Sequence, residues 1–577
     1  MHYTSRVNIH KVIAPLFLDA LNAEFEQIKP SRNRKNLLNF QDKLSKLKFF
    51  DPACGSGNFL TESFISLRRL ENEVLRDLFG SQIQLGAFLN PVKVSISQFY
   101  GIEINDFACT VAKTALWIAE LQMLQETQEI IHRDLDFLPL KSYANIHEGN
   151  ALQMDWKEIA PDVNFIMGNP PFVGRRYRTA AQVADIAKFF SYKDVDYVAC
   201  WYKKAADFIA DTKIEVALVS TNSITQGEQV AAIWENLPVH INFAYRTFRW
   251  DSESTQKAHV HCVIIGFANF EKGQKFIFDG NNKFAARNIN AYLNDASAVF
   301  IRNRSNPLCD VPKMFNGNMA ADGKNFTLSE NEMLALVKKF PAAKKFIKNL
   351  LGGEELLHAK PRYCLWLVDA TPTEIKNIPP IFDRVKKVRE FRLHSTFKNI
   401  ADRPHLFRDL KNPENFIAIP QVSSENRQYI PIAFLDNKFI PTTQLMIIPD
   451  AELFHFGVLT SSVHMAWIKT VAGRLESRYR YSAGVVYNNF VWCQPTEQQR
   501  RIIEQSAQNI LDTRKNYPDA TLADLYDDTL IPKDLRDAHK ENDAAVLATY
   551  NFPPNLSESE IVANLMNLYS LKMLRLQ

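Results

Sequence analysis

Hydrophobic positions follow two alternating spacings over the first half of the chain. Short apolar runs of strand length end in glycine, asparagine or acidic residues, and stretches between them carry apolar residues three and four apart, as helices do. The predicted helices lie within 1–30 and at 58–78, 106–125 and 196–211. The predicted strands lie at 46–50, 99–104, 214–220, 240–246 and 258–267, with two more that end at 150 and 169. Strands that alternate with helices predict a doubly wound α/β fold, a mostly parallel sheet covered on both faces. The last two strands have little chain between them, so we expect an antiparallel edge there.

The pattern changes after about residue 268. From 300 to 495 short β-like runs mix with helices and the regular alternation is lost, whereas from Glu497 the chain is polar with helical spacing. We therefore predict an α/β domain, an α+β domain and a helical tail, which occupy residues 1–290, 291–497 and 498–577.

Composition sets limits on the class of protein. The 577 residues are 46% hydrophobic and 23% charged, which excludes a wholly disordered chain. No apolar run reaches the roughly 18 residues of a membrane-spanning helix, and the N-terminus lacks the apolar core of a signal peptide. The seven cysteines are scattered without a Cys-x-x-Cys pair, so we expect a reduced, cytoplasmic protein with neither a disulfide framework nor a cysteine zinc site. The net charge of +4 is compatible with nucleic-acid binding but does not demonstrate it.

Residues that could bind a ligand or take part in a reaction lie at the ends of predicted strands, where an open parallel sheet binds its ligands. Asp51–Gly57 is a glycine-rich turn, in which Gly55 and Gly57 let the backbone bend sharply and approach a ligand. The helix that follows offers free N–H groups to a carboxylate or phosphate. A plain tight turn is the alternative. No Gly-Lys-Ser/Thr follows, so this segment is not a Walker loop.

Two further strand ends carry groups suited to a nucleoside. The Glu103 carboxylate can accept two hydrogen bonds from a ribose diol, and the neighbouring Ile104 can lie against an adenine face. The Asn150 amide can pair with an adenine edge. Taken singly, Glu103 is more often a solvated acid at a strand end, and Asn150 a turn residue.

The segment Asn169–Phe172, Asn-Pro-Pro-Phe, is the most specific of these features. Pro170 and Pro171 fix the backbone and remove two N–H donors, so that the Asn169 side chain and the Pro170 carbonyl can converge as acceptors on one amino group. Phe172 supplies a flat face for a base. An amine conjugated to a purine ring is a poor nucleophile, and two acceptors that draw its protons outward favour a pyramidal nitrogen with an available lone pair. Such activation needs neither a metal nor a strongly basic side chain.

In combination, Asp51–Phe59 and Asn169–Phe172 resemble motifs I and IV of the S-adenosylmethionine-dependent adenine-N6 DNA methyltransferases, in the gamma order of motifs. His2–Ser5 resembles the motif that closes over the cofactor. More narrowly, the chain resembles the methyltransferase and target-recognition part of single-chain type IIL/IIG restriction–modification enzymes. That narrower likeness lies in 244–250, 419–425 and 479–490.

The resemblance implies a class I, Rossmann-like methyltransferase domain with a seven-stranded sheet, followed by a recognition domain. It also implies methyl transfer from S-adenosyl-L-methionine to N6 of adenine at a specific site in double-stranded DNA, by base flipping. The segment between Asp51 and Glu103 is longer than a plain βαβ unit requires, so we interpret residues 80–97 as an insertion.

The family's roles carry over to matching positions of this sequence. Asp51, Gly55 and Gly57 would hold the methionine end of the cofactor, Glu103 its ribose and Asn150 its adenine, where many relatives have Asp. The implied cofactor-binding residues are Thr4 (on the lid side), Asp51, Pro52, Ala53, Gly55, Gly57, Glu103, Ile104, Asn150 and Asn169. The implied catalytic residues are Asn169, Pro170, Pro171 and Phe172. The first two of these accept hydrogen bonds from the target amino group, and the phenylalanine stacks on the flipped adenine.

Candidate DNA contacts lie in the second half of the chain. Between 374 and 411 there are ten Lys or Arg and five Asp or Glu, a balance that suits a DNA backbone or a solvated helix face. Arg474–Tyr481 interleaves arginine with tyrosine, suited to phosphate contact and stacking, and 423–427 offers polar groups to base edges. Largely on the resemblance, the predicted DNA-binding residues are Arg474, Arg478, Tyr479, Arg480, Ser424 and Arg427.

His259, His261 and Cys262 suggest a metal site, because alternate residues of a strand share one face. No further ligand is evident nearby, and the segment matches an edge strand of the fold. We therefore expect a structural role and no metal.

The restriction enzymes carry a nuclease and a helical connector ahead of this region, whereas this sequence starts at the lid motif and shows no convincing Pro-Asp…Glu-x-Lys cluster. The resemblance thus implies modification without cleavage in cis, with double-stranded DNA and a separate nuclease chain as candidate partners. A solitary methyltransferase, a split-gene subunit and a truncated remnant all stay open.

Three rival functions also stay open. One is N4-cytosine methylation, although cytosine-N4 motifs usually prefer Ser at the position of Asn169. Another is methylation of an amine or amide in RNA or protein, and the third is a DNA-binding remnant without activity.

Overall fold

The computed structural model describes residues 4–31, 33–79, 91–131, 145–250 and 260–576, and the chain forms two units, Met1–Phe300 and Ile301–Gln577. The first unit is built on one sheet. Its strands are β1 Phe49–Asp51, β2 Phe99–Glu103, β3 Asn145–Glu148, β4 Phe165–Gly168, β5 Glu215–Thr221, β6 His240–Trp250, β7 Val260–Ala268, β8 Lys275–Asp279 and β9 Asn282–Ala286. They lie in the order β3-β2-β1-β4-β5-β7-β6-β8-β9. Strands β1 to β5 pair in parallel, and β7 is antiparallel to both of its neighbours.

The helices of the first unit cover both faces of this sheet. They are α1 Arg6–Ile13, α2 Asp19–Ile28, α3 Arg34–Lys46, α4 Asn58–Phe79, α5 Asp106–Ile131, α6 Trp156–Ile159, α7 Ala180–Phe189, α8 Ala199–Phe208 and α9 Glu228–Trp234, with a π-helical turn at Ala14–Leu18. Successive residues of a strand point to opposite faces. Phe49 packs on Phe17 (ring centroids 4.8 Å apart) in a cluster with side chains of α1 to α5, whereas Phe50 packs on Trp156 (5.1 Å) of α6.

The structure confirms the α/β fold and corrects three details. The sheet has nine strands instead of seven, because β8 and β9 continue it beyond β6 as a hairpin that turns at Asp279–Asn282. The antiparallel pair β6–β7 forms as predicted, but β7 lies between β5 and β6 instead of at an edge. Helices α3, α6, α7 and α9 were not predicted.

The second unit contains three smaller sheets. Its strands are β10 Phe315–Asn316, β11 Thr327–Leu328, β12 Ile347–Leu351, β13 Tyr363–Leu365, β14 Asn415–Pro420, β15 Val422–Ser423, β16 Ala433–Asp436, β17 Phe439–Pro441, β18 Leu445–Pro449, β19 Gly473–Leu475 and β20 Arg478–Arg480. They form sheets in the orders β10-β18-β14-β16, β11-β13-β12-β17 and β15-β20-β19. Only β12 and β17 pair in parallel among these described strands.

Helices of the second unit surround these sheets and form its C-terminal part. They are α10 Glu330–Lys339, α11 Gly353–His358, α12 Pro372–Lys376, α13 Pro379–Leu393, α14 Leu453–Leu459, α15 Ser462–Val471, α16 Glu497–Lys515, α17 Leu522–Leu525, α18 Lys533–Thr549 and α19 Glu558–Leu574. Helix α16 packs against α14 and α18, and α19 packs against α15. None of the helices in the described ranges combines the length and apolar character needed to cross a membrane.

Candidate active site

The glycine-rich turn after β1 is held in place by its neighbours. Asp51 is 1% exposed, and its Oδ1 accepts the Ala53 N–H at 3.0 Å. The Cys54 N–H donates to the Ile102 carbonyl of β2 (3.0 Å). Gly55 has φ +53°, which favours glycine, and the space where a Cβ would lie contains no other atom within 4 Å. The turn therefore leaves an open cradle at the carboxyl end of the sheet.

Glu103 connects this turn to the loop that follows β2. Its Oε2 accepts the Gly55 N–H and its Oε1 accepts the Asn105 N–H, both at 3.0 Å. Next to it Ile104 is 69% exposed and Phe107, at the start of α5, is 65% exposed. Two large apolar side chains thus face solvent beside a fixed carboxylate. Phe107 was not among the predicted site residues, because a single phenylalanine near a helix start gives no distinguishing signal.

Asp51 also lies against the strand that carries the Asn-Pro-Pro-Phe segment. A Cβ on Gly168 would come within 2.4 Å of Asp51 Oδ1, so only glycine allows β4 this close to the carboxyl. Asp51 Oδ2 is buried and has no hydrogen-bond partner among the described residues. Burial raises the pKa of Asp51 to about 8, against the opposing effect of the hydrogen bond from Ala53.

The Asn169–Phe172 segment begins where β4 ends. Asn169 Oδ1 is buried and, within the described part of the chain, has no hydrogen-bond donor. An unpaired buried acceptor typically costs about 1–3 kcal/mol. Pro170 is buried and Pro171 exposed, while Phe172 is half-buried and packs against the apolar cluster that contains Phe49. The stacking of Phe172 on a flipped base stays a prediction.

Asn150 makes two hydrogen bonds after β3. Its Nδ2 donates to Asp185 Oδ2 and its Oδ1 accepts the Leu152 N–H, both at 3.0 Å. Asp185 belongs to α7, is 2% exposed, and also accepts from Gln153 Nε2 (3.1 Å) and the Tyr197 hydroxyl (3.2 Å). Burial alone would raise the pKa of Asp185, but these hydrogen bonds lower it below its ordinary value. Sequence reasoning missed Asp185, because nothing in its local pattern shows that it meets a residue 35 positions earlier.

A second acid near the site was also missed. Asp196 Oδ2 accepts from Thr221 Oγ1 (2.8 Å) and Ser223 Oγ (3.0 Å) at the end of β5, the neighbour of β4. Its Oδ1 is buried without a partner among the residues described. The polar run Thr221–Ser223 at a strand end could have indicated from the sequence that a polar site lies there.

Other predicted features of this unit are only partly described. Thr4 is buried, whereas His2, Tyr3, His259 and residues 80–90 of the predicted 80–97 insertion lie outside the described residues. In the described ranges no group of three or more His, Cys, Asp or Glu side chains is placed to hold a metal.

In the second unit, a small sheet brings together the two segments predicted to contact DNA. Ser423 of β15 pairs with Tyr479 of β20, and Arg474 of β19 pairs with Tyr479 on the other side. Ser424 and Arg427 follow β15 directly, and the Arg427 N–H donates to the Ser424 carbonyl (3.4 Å). The base-edge candidates and the arginine-rich stretch therefore share one surface.

The individual residues of that surface differ in exposure. Arg478 and Arg480 are exposed, and Arg478 pairs with Glu476 at 2.9 Å. Tyr479 is buried, with the Arg474 guanidinium 4.4 Å from its ring centroid. The structure therefore corrects the stacking role predicted for Tyr479, because its ring packs under Arg474 instead of facing outward.

Part of the basic segment 374–411 is structural. The Arg392 side chain is fully buried and donates to five backbone carbonyls, and Arg384 donates to the Asn325 carbonyl (2.8 Å) and pairs with Glu332 (2.8 Å). Both arginines make contacts within the second unit. The structure therefore supports neither of the two interpretations offered for this segment, a solvated helix face or a DNA contact, at these two positions.

Comparison with known protein families gives three adjoining matches. Residues 26–279 match the model described as MmeI, DNA-methyltransferase domain; residues 295–494 match MmeI, target recognition domain; and residues 495–575 match MmeI, C-terminal domain.

Two individual proteins resemble the chain over nearly all its length. DNA methyltransferase A of Bacillus subtilis (strain 168) is 38% identical over 586 aligned positions, which cover 99% of this chain and 66% of that protein. The chain thus spans slightly less than two thirds of that relative. The solved structure of the type IIL restriction–modification enzyme MmeI in complex with DNA is 42% identical, with a TM-score of 0.89, and the match covers 99% of this chain and 79% of that one.

Proposed function

Since the chain belongs to the MmeI family, with the methyltransferase, target-recognition and C-terminal domains in that order, we propose that it is a site-specific DNA methyltransferase of a restriction–modification system. Its substrate would be double-stranded DNA, and the group modified would be the N6 amino group of adenine. The relative solved with DNA supports the choice of substrate, and the Asn-Pro-Pro-Phe segment supports the choice of an amino group.

The unpartnered Asn169 Oδ1 is the observation that carries this proposal. A buried acceptor without a donor is unfavourable until a substrate N–H reaches it. The Pro170 carbonyl follows it on a backbone that two prolines restrict. An exocyclic amino group offers two N–H donors, which these two acceptors can take together. The same oxygen atoms would draw the protons away from the ring plane and leave the nitrogen lone pair available.

The residues around the glycine-rich turn fit S-adenosyl-L-methionine as the methyl donor. The open cradle at Gly55 leaves room for a ligand. A cationic amino group beside the unpartnered Asp51 Oδ2 would lower the raised pKa of that carboxyl, and the resulting carboxylate would accept its N–H groups. Glu103 would accept from a ribose diol, and the exposed Ile104 and Phe107 would cover an adenine ring. When bound, the cofactor would supply an electrophilic methyl group for transfer from its sulfur to the amino nitrogen. One amino proton is then lost to solvent.

The second unit would select the DNA sequence. Arg478 and Arg480 present two cations beside the polar 423–427 segment, an arrangement suited to phosphate and base-edge contacts respectively. All seven cysteines are free thiols, as is usual for proteins of the reducing cytoplasm. We therefore place this chain in the cytoplasm, where its DNA substrate would also lie. A nuclease on a separate chain stays a proposed partner.

Methyl transfer from labelled S-adenosylmethionine to unmethylated DNA tests this function. We expect Asn169→Ala to lower kcat by at least about 100-fold, because one of two acceptors made for the transition state is lost. Asn39→Ala, which changes an exposed asparagine of α3, is the matched control and should keep the parent rate. Equal rates of label transfer to DNA by both variants would show that Asn169 plays no part in the reaction.

A further inference from the structure

The turn Gly174–Arg178, which begins two residues after Phe172 of the catalytic segment, is braced at its base. Arg178 donates from Nε to the Val173 carbonyl (3.3 Å), from Nη1 to the Lys193 carbonyl (2.9 Å), and from Nη2 to the Val195 carbonyl. Arg175 pairs with Asp194 at 2.8 Å. A short 3₁₀ segment, Arg175–Tyr177, forms the tip. These bonds hold the tip in a defined position relative to Phe172.

The tip presents a ring and a cation to solvent. Tyr177 is 84% exposed, a larger exposed fraction than that of any other large apolar side chain in the described residues. Arg176 beside it is exposed and pairs with no acid in the described chain. A single exposed tyrosine is unremarkable on a protein surface. One on a braced, cationic turn close to the catalytic segment is suited to a partner with negative charge and flat faces.

Duplex DNA at a flipped nucleotide has both properties. Tyr177 follows Phe172 by five residues, so its Cα lies within about 18 Å of that residue. When an adenine leaves the stack, its neighbours lose a stacking face, and an aromatic side chain can replace that face. The adjacent phosphates attract an unpaired guanidinium.

We propose that the Gly174–Arg178 turn is a base-flipping element, in which Tyr177 stacks in the gap left by the target adenine and Arg176 binds a flanking phosphate. This inference rests on the proposed function. It assigns the turn a direct DNA contact, separate from the Arg474–Tyr481 surface that would read the sequence.

The test compares two unmethylated duplexes that contain the sequence modified by the parent protein. In one the target adenine is paired to thymine, and in the other it lies opposite an abasic site. The abasic duplex needs less energy to expose the adenine. We expect Tyr177→Ala to lower kcat/KM on the paired duplex by about tenfold and on the abasic duplex by less than about twofold. Tyr177→Phe keeps the ring and should retain the parent values, as should the control Phe284→Ala, which removes a half-exposed ring from β9.

Two binding measurements accompany the rates. With 2-aminopurine at the target position, the fluorescence rise on binding the parent should shrink with Tyr177→Ala, since fewer target bases leave the stack. Arg176→Gln should lower the slope of log affinity against log salt by about one.

An equal loss on both duplexes, or parent-like rates for Tyr177→Ala on the paired one, would overturn the flipping role. A parent protein that labels no DNA would contradict the proposed function itself, and this inference with it.

Discussion

At the scale of single residues, two buried oxygen atoms distinguish this site from ordinary strand-end turns. Asp51 Oδ2 and Asn169 Oδ1 lack partners among the described residues, although buried polar atoms are normally satisfied. They lie at the carboxyl ends of the neighbouring strands β1 and β4, Asp51 as the last residue of β1 and Asn169 directly after β4, where a ligand can supply the missing donor. The polar identity of these residues was visible in the sequence. The absence of hydrogen-bond partners was not visible there, because possible donors to these oxygen atoms lie far away along the chain.

The raised pKa of Asp51 leads to a prediction about stability. The folded chain keeps this carboxyl protonated up to about pH 8, whereas an unfolded chain loses the proton near pH 3.9. The folded state therefore binds more protons between these values, and the free energy of unfolding falls as pH rises through them. Asp51→Asn does not titrate, so we expect its stability relative to the parent to increase by about 1 kcal/mol or more between about pH 5 and pH 8. Denaturant unfolding without cofactor measures this difference, with the exposed Asp207→Asn as control. A constant difference across that range would refute the raised pKa.

Residue-level prediction failed where burial reverses the meaning of a side chain. Arg392 and Tyr479 have the composition of DNA-contacting residues, yet both are buried and hold the second unit together. Asp185 has no distinguishing sequence pattern, yet it fixes the Asn150 amide. In each case the deciding partner lies on another element, which spacing alone does not identify.

At the scale of elements, a buried ion pair connects three helices of the first unit. Arg68 and Glu71 of α4 pair inside the core, where Arg68 also donates to Thr127 of α5 (2.6 Å). Glu71 accepts from Gln41 of α3 (2.7 Å) and from the Lys93 N–H (2.7 Å). This network fixes α3 and the 91–94 segment against the helix that follows the glycine-rich turn.

Removing one partner of that network should be costly. We expect Arg68→Met to destabilise the protein by about 3–5 kcal/mol, because the buried Glu71 is left in the core without its partner. Arg69→Met is the matched control: it breaks a half-exposed pair with Glu126 and should cost less than about 1 kcal/mol. Chemical unfolding of both variants beside the parent measures the two values. Similar small losses for both would show that the buried pair contributes little.

Most strands and helices of the first unit were predictable because each carries its own periodicity. Helix α7 was missed although Thr179 and Gln182 form a capping box ahead of it. The β8–β9 hairpin was not predicted, although Asp279-Gly280 has apolar residues before and after it, as the turn of a hairpin does.

At the scale of the whole molecule, the C-terminal helices are integral to the second unit. Gly457 of α14 lies so close to α16 that a Cβ would meet Ile503 at 2.7 Å, and Asn542 of α18 donates to the Gly457 carbonyl at 2.8 Å. Tyr429, two residues beyond Arg427, donates to Asp543 Oδ2 at 2.6 Å. The proposed division at 498–577 follows a change of composition, but these contacts make the tail part of the support for the recognition segment.

Fragments test that dependence. We expect residues 301–577 to fold as a cooperative unit and residues 301–497 to lose cooperative unfolding, because the shorter fragment exposes the apolar faces of α14 and α15. Circular dichroism during thermal unfolding distinguishes the two results. A fragment 301–497 that unfolds cooperatively at the same temperature would show that the tail is independent.

We propose that this molecule methylates adenine at a defined DNA sequence, and the roles assigned to its residues depend on that activity. Single-molecule sequencing of unmethylated genomic DNA, after incubation with the parent protein and S-adenosylmethionine, tests it most directly. We expect N6-methyladenine at one recurring sequence, and none with Asn169→Ala. N4-methylcytosine, or no modified base despite measurable cofactor binding, would contradict it.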